Sequence, residues 1–203
     1  MTHFIIGIAG GSGCGKSTLA YGLKDEYPDL IEVVHFDDYQ KEEVDVPFFE
    51  NMRNWDHPNS INFKQLCQDL IQLINNESVE VMTKSTILNS DYEEKGRTKH
   101  ILRPKKIIIV EGYMAFYDRK IQELFDLKIF LDCPIIESMK RRNKIICGED
   151  NEYNIKTLIP MHTKYVIPTK DMANLLIDVV KNNKDEVFNI VCKKLSELKV
   201  LSV

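Results

Sequence analysis

Eight consecutive residues, Gly10-Gly11-Ser12-Gly13-Cys14-Gly15-Lys16-Ser17, spell G-x-x-x-x-G-K-[ST] directly after an apolar run. Glycines in such a loop let several backbone N–H groups converge on one anion, and the positive end of the following helix adds to the attraction. This is the chemistry of a loop that cradles a nucleotide's phosphates. Lys16 is placed to reach the outer phosphates as a mobile point charge, and the Ser17 hydroxyl to ligate Mg²⁺. Thr18 carries the loop into its helix. Cys14 lies within the loop, where its backbone should matter more than its thiol.

Other residues can act with that loop if the fold brings them to it. Asp37 and Asp38 follow an apolar stretch. A carboxylate there can accept a hydroxyl proton or hold a metal-bound water; a solvated turn or helix cap is the alternative. Glu111 follows Ile107-Ile108-Ile109-Val110, the place where a carboxylate coordinates Mg²⁺ through water in phosphate-loop folds. Gly112 beside it should leave room for the phosphates. Asn54-Trp55-Asp56-His57-Pro58 holds the single tryptophan. Its face can stack on a base while Asp56 binds sugar hydroxyls, or Trp55 can be a core anchor and Asp56 a turn cap. Within the basic run Lys140-Arg141-Arg142, Arg141 and Arg142 can clamp transferring phosphates. No histidine has ligand spacing, and only His57, beside Trp55, has any claim on a ligand.

Such groups need a scaffold that gathers strand ends. Strand-like and helix-like segments alternate, which predicts an α/β fold, a P-loop NTPase-type parallel sheet with helices on both faces. Expected strands are Phe4–Ala9, Ile31–Phe36, Lys106–Val110, Leu127–Asp132 and Leu175–Val180, with the candidate residues at their C-terminal ends, where ligands bind in open parallel sheets. Helices are expected after the loop, over Asn62–Asn75 with Ser60 as N-cap, after Pro134, and over Lys184–Leu198. The polar stretch Val81–Arg103 is too long for a simple connection and should form a small flap or hairpin over the substrate side.

The 203 residues suit a single domain, 1–203, with a flap at about 81–103 and a lid at about 140–160. A net charge of −4 argues against general affinity for nucleic acid, and no apolar run approaches the length of a membrane span. Five scattered cysteines in no metal-spaced pair, together with the absence of a visible signal peptide, suit a reducing cytoplasm. Homo-oligomerisation is left open.

Over nearly its whole length the chain resembles the uridine–cytidine kinases and, more distantly, the nicotinamide riboside kinases. The resemblance rests on Gly7 to Thr18, on Asn54-Trp55-Asp56-His57-Pro58, on Glu111 to Tyr117 and Lys128 to Asp132, and above all on Lys164-Tyr165-Val166-Ile167-Pro168-Thr169-Lys170. It implies ATP as donor, with GTP open, Mg²⁺ on Ser17 with help from Glu111, and a nucleoside as small-molecule acceptor. It further implies Asp37 as general base, Asp56 on the ribose hydroxyls, Trp55 beside the base, and Arg141 and Arg142 in the lid. Ser90-Asp91-Tyr92-Glu93-Glu94-Lys95-Gly96-Arg97 is the best match to the family's flap. Arg97 keeps the pattern as a substrate-binding candidate, while Ser90 and Lys95 stand where that family has Tyr and His. The short lid is nearer to the nicotinamide riboside kinases.

Overall fold

The computed structural model describes residues 3–145 and 151–201. Among these, the strands in chain order are β1 (Phe4–Gly10), β2 (Ile31–His35), β3 (Phe48–Phe49), β4 (Met52–Arg53), β5 (Val79–Thr83), β6 (Thr98–Leu102), β7 (Ile107–Glu111), β8 (Leu127–Asp132) and β9 (Leu175–Asp178). The helices are α1 (Lys16–Glu26), α2 (Phe63–Ile74), α3 (Tyr92–Lys95), α4 (Arg119–Gln122), α5 (Ile135–Ile145), α6 (Asn151–Tyr153), α7 (Ile159–Met161) and α8 (Lys184–Glu197).

The five apolar runs pair in parallel, in the order β2-β7-β1-β8-β9. Successive strand residues face opposite ways, so a sheet covered on both sides needs apolar residues at every position. Accordingly Ile6 and Ile8 of β1 pack with Leu19 and Leu23 of α1 and Val191 and Leu195 of α8. Ile5 and Ala9 face the opposite core with Leu66, Leu70 and Leu73 of α2. The chain leaves β1 for one half of the sheet and later returns to build the other half, so the loop after β1 stands at the topological switch point.

One local expectation is corrected. The N-cap of α2 is Asn62, whose side chain accepts from Gln65 N at 3.2 Å, and not Ser60. The Ser60 hydroxyl instead donates to the carbonyls of Trp55 and His57, at 2.7 and 2.6 Å, and so ties that loop together. Gly112 lines the cavity beside the loop, as expected, and it also makes room within the core. A Cβ there would lie 2.1 Å from Phe36 Cβ, so its absence lets β7 end against the ring that precedes Asp37.

The polar stretch does form a hairpin, with β5 antiparallel to β6 from Val79↔Leu102 to Thr83↔Thr98 and the single turn of α3 at its tip. The small β3–β4 hairpin had no sequence signal, because two-residue strands show no periodicity. Part of the expected lid, residues 146–150 with Cys147, lies outside the described residues. After it come α6, a π-helical turn (Asn154–Leu158), α7, a second π-helical turn (His162–Val166) and a 3₁₀ turn (Ile167–Met172). π-Helical turns are rare and frequently mark functional sites. None of the described helices is long and apolar enough to cross a membrane.

Candidate active site

The loop from Gly10 to Gly15 joins β1 to α1, and Gly15 caps the helix in the left-handed region at φ 89°, which a residue with a Cβ resists. Ser12, Gly13, Lys16 and Ser17 line a cavity of about 490 Å³ above the C-terminal edge of the sheet. Lys16 Nζ rests on Gly11 O at 2.8 Å, close to the loop it would serve. On the other side of the loop Gly13, Cys14, Gly15 and Thr18 line a second cavity of about 600 Å³, so the loop is the wall between two spaces.

Strand register delivers the acids. β2 and β7 pair with His35 opposite Glu111, and Ile8 of β1 is also opposite Glu111. Glu111 is 2% exposed, and its Oε1 accepts from Ser17 Oγ at 3.0 Å and pairs with His35 Nδ1 at 2.5 Å. Burial works against charge on His35, but the hydrogen bond and charge of Glu111 outweigh it, with Asp37 and Asp38 adding, and hold the imidazole at about 9. The imidazolium thus neutralises a buried carboxylate.

Asp37 and Asp38 share a 3₁₀ turn but have different tasks. Asp38 Oδ1 accepts from Thr83 Oγ1 at 3.0 Å and from Lys84 N at 2.8 Å, so this side chain anchors the β5–β6 hairpin. Burial pushes its carboxyl up. Asp37 lines the first cavity, and its Oδ1 is buried without a hydrogen-bond partner. Ser17 and Glu111 are hard oxygen donors on one cavity, a pair that suits Mg²⁺, which binds through few protein oxygens plus phosphates and water.

Across the cavity, Trp55 and Asp56 also line the wall. Tyr153 OH donates to Asp56 Oδ2 at 2.7 Å and accepts from Trp55 N at 3.0 Å, while Tyr113 OH donates to Trp55 O at 2.8 Å. Burial raises the Asp56 carboxyl, opposed by the Tyr153 hydroxyl and Arg142. Lys84 projects from the hairpin, donates to Gln40 Oε1 and lies 5.9 Å over the Trp55 ring. Burial depresses its ammonium, although Asp37, Asp38 and Asp56 work to keep it charged.

The other sequence candidates divide. Arg142 Nη1 donates to Ser12 Oγ at 2.7 Å and lines the first cavity. Arg141 faces the second cavity and donates to Val179 O at 3.0 Å. His57 lies outside both cavities: its Nδ1 accepts from Asn59 N and its Nε2 meets Tyr165 OH at 3.2 Å. Arg97 also lies outside them and holds the backbone carbonyls of Asp38 and Gln40, at 2.9 and 2.7 Å. Cys14 is buried beside Cys133, whose thiol burial and Cys14 push up to about 11, the opposite of a reactive thiolate.

Sequence reasoning missed Lys84, Tyr153, His35 and His162 on the cavity wall. Of these, only His35 carried a usable signal, being two residues before Asp37 at the end of a buried strand.

A parallel α/β sheet with a phosphate loop at its switch point, and a cavity that joins the loop's lysine to buried carboxylates, defines a P-loop phosphotransferase. More narrowly, the chain belongs to the phosphoribulokinase/uridine kinase family, whose model matches residues 5–186. It is 30% identical to the uridine kinase of Clostridium novyi (strain NT), over 95% of each chain. Identity to the uridine kinase of Bacillus pumilus (strain SAFR-032) is 32%, over 85% of each. Among solved structures, that of a possible uridine kinase from Bacillus stearothermophilus superposes with a TM-score of 0.57 at 21% identity, covering 88% of this chain and 90% of the other, a likeness of fold. The protein is a phosphotransferase with an alcohol acceptor.

Proposed function

We propose that this protein transfers the γ-phosphoryl group of ATP to the 5′-hydroxyl of a pyrimidine nucleoside, uridine or cytidine. The observation that carries the proposal is the buried, unpartnered Asp37 Oδ1 on the same cavity as Lys16, Ser17 and Asp56. An unpaired buried carboxylate oxygen is costly, and a substrate hydroxyl supplies its missing donor.

The two cavities sort the substrates. The triphosphate lies over the loop, with the donor's base in the second cavity beside Arg141, Asn182 and Phe188, and the acceptor in the first cavity. Asp56 holds ribose hydroxyls, and Trp55 with Lys84 meets the base. Asp37 takes the 5′-hydroxyl proton as the oxygen bonds to the γ-phosphorus and the bond to the ADP oxygen breaks. Lys16 and Arg142 counter charge on the transferring group, and the hairpin and the described residues 151–160 act as flap and lid that exclude water. Mg²⁺, held by Ser17 with Glu111, would supply further neutralisation of the phosphate oxygens. Catalysis thus comes from positioning and electrostatics rather than a covalent intermediate.

The test is ATP turnover with a panel of uridine, cytidine, nicotinamide riboside and no acceptor. Uridine- or cytidine-stimulated ADP formation is the expected result. Stimulation by nicotinamide riboside alone overturns the pyrimidine assignment, and ATP binding with no stimulated turnover overturns the kinase reading.

A further inference from the structure

His162 is 6% exposed, lines the first cavity, and has a buried Nε2 without a hydrogen-bond partner. Its ring packs on the phosphate loop. A Cβ on Gly11 would lie 3.1 Å from His162 Cε1, the carbon bonded to Nε2, so the glycine leaves the imidazole its seat. Lys16 holds the carbonyl of that same Gly11.

We propose that His162 is a ligand of the phosphoryl donor, its Nε2–H hydrogen-bonding a phosphate oxygen of the bound nucleotide beside Lys16. The proposal rests on the triphosphate-donor part of the function above and is independent of the acceptor. Burial, followed by the Lys16 charge, lowers the imidazole to about 4, so it is neutral at physiological pH with a proton on only one ring nitrogen. Phosphate oxygens only accept, so a nucleotide beside Nε2 selects the tautomer that carries its proton there. A neutral donor can sit against Lys16, where another cation would be repelled.

His162→Phe keeps the ring volume and removes both nitrogens. Its kcat/KM for ATP should fall on the order of 100-fold, as when one preorganised donor is removed. The nucleotide-induced rise in Tm should shrink, while the acceptor KM changes less than threefold, and His162→Gln, which restores an N–H, should recover part of the loss. Unchanged kcat/KM for ATP and an unchanged nucleotide-induced Tm rise in His162→Phe overturn the proposal. If that variant does not fold, ¹⁵N NMR of wild-type imidazoles decides: a non-hydrolysable ATP analogue should fix His162 as the Nε2–H tautomer, and an unmoved signal refutes the contact. A wild-type protein whose Tm does not respond to any nucleotide would instead remove the donor reading itself.

Discussion

Two adjacent aspartates, equivalent by composition, separate by what they touch. Asp38 spends its oxygen on Thr83 and Lys84, whereas Asp37 keeps one in reserve. Asp37→Asn should therefore lower kcat by about 10²–10⁴-fold, the usual worth of a general base, while leaving nucleotide binding intact. Near wild-type turnover would show that Asp37 is not the base. Lys84 makes the second residue-scale prediction. As a half-hidden ammonium over Trp55 it offers only donors to the far end of the acceptor, so Lys84→Met should raise the acceptor KM about tenfold or more with KM for ATP unchanged. Equal effects on both substrates would place Lys84 in general charge balance instead.

At the scale of elements, the site depends on how the hairpin is fastened to the sheet. β5 and β6 make most of their contacts with each other, and Asp38 is the clasp that joins them to the end of β2. Asp38→Ala leaves the Thr83 hydroxyl and the Lys84 amide without their acceptor and should cost about 1–3 kcal/mol. Urea unfolding measures that loss, and hydrogen exchange should show it as faster opening of 79–102 than of β1 or β7. Uniform acceleration across the sheet would mean that Asp38 supports the whole fold rather than the hairpin. Arg97 reinforces the clasp from the far strand end, through the carbonyls of Asp38 and Gln40. The resemblance made it a substrate-binding candidate; its contacts tie it to the frame.

For the whole molecule, the buried imidazole at the loop sets a pH dependence. His162 titrates at about 4 when folded against 6.5 when unfolded, so the unfolded chain takes up the proton first as pH falls. Its contribution to stability is complete above pH 6.5 and is lost as pH falls from 6.5 to 4, by at most about 1.4 kcal/mol per pH unit. Between pH 7 and 5 the nucleotide-free protein should lose more stability, or gain less, than His162→Phe does; parallel urea profiles for the two would refute the assignment.

What was legible in the sequence is what chemistry and periodicity write locally. The phosphate loop announces itself because only glycines, a lysine and a hydroxyl at that spacing can cradle phosphates. The five central strands do so because a sheet covered on both faces admits no polar alternation. Their C-terminal ends then put Asp37 and Glu111 at the loop, as expected. The sequence by itself therefore determined the fold class and the phosphate end of the cavity. Tertiary structure decided the rest, because a wall built from distant segments has no sequence spacing to betray it. Only strand register sets His35 against Glu111, and only the hairpin's return carries Lys84 over Trp55. Only the packing of a π-helical segment on the loop buries His162 beside Gly11, turning an unremarked histidine into the neutral neighbour of Lys16.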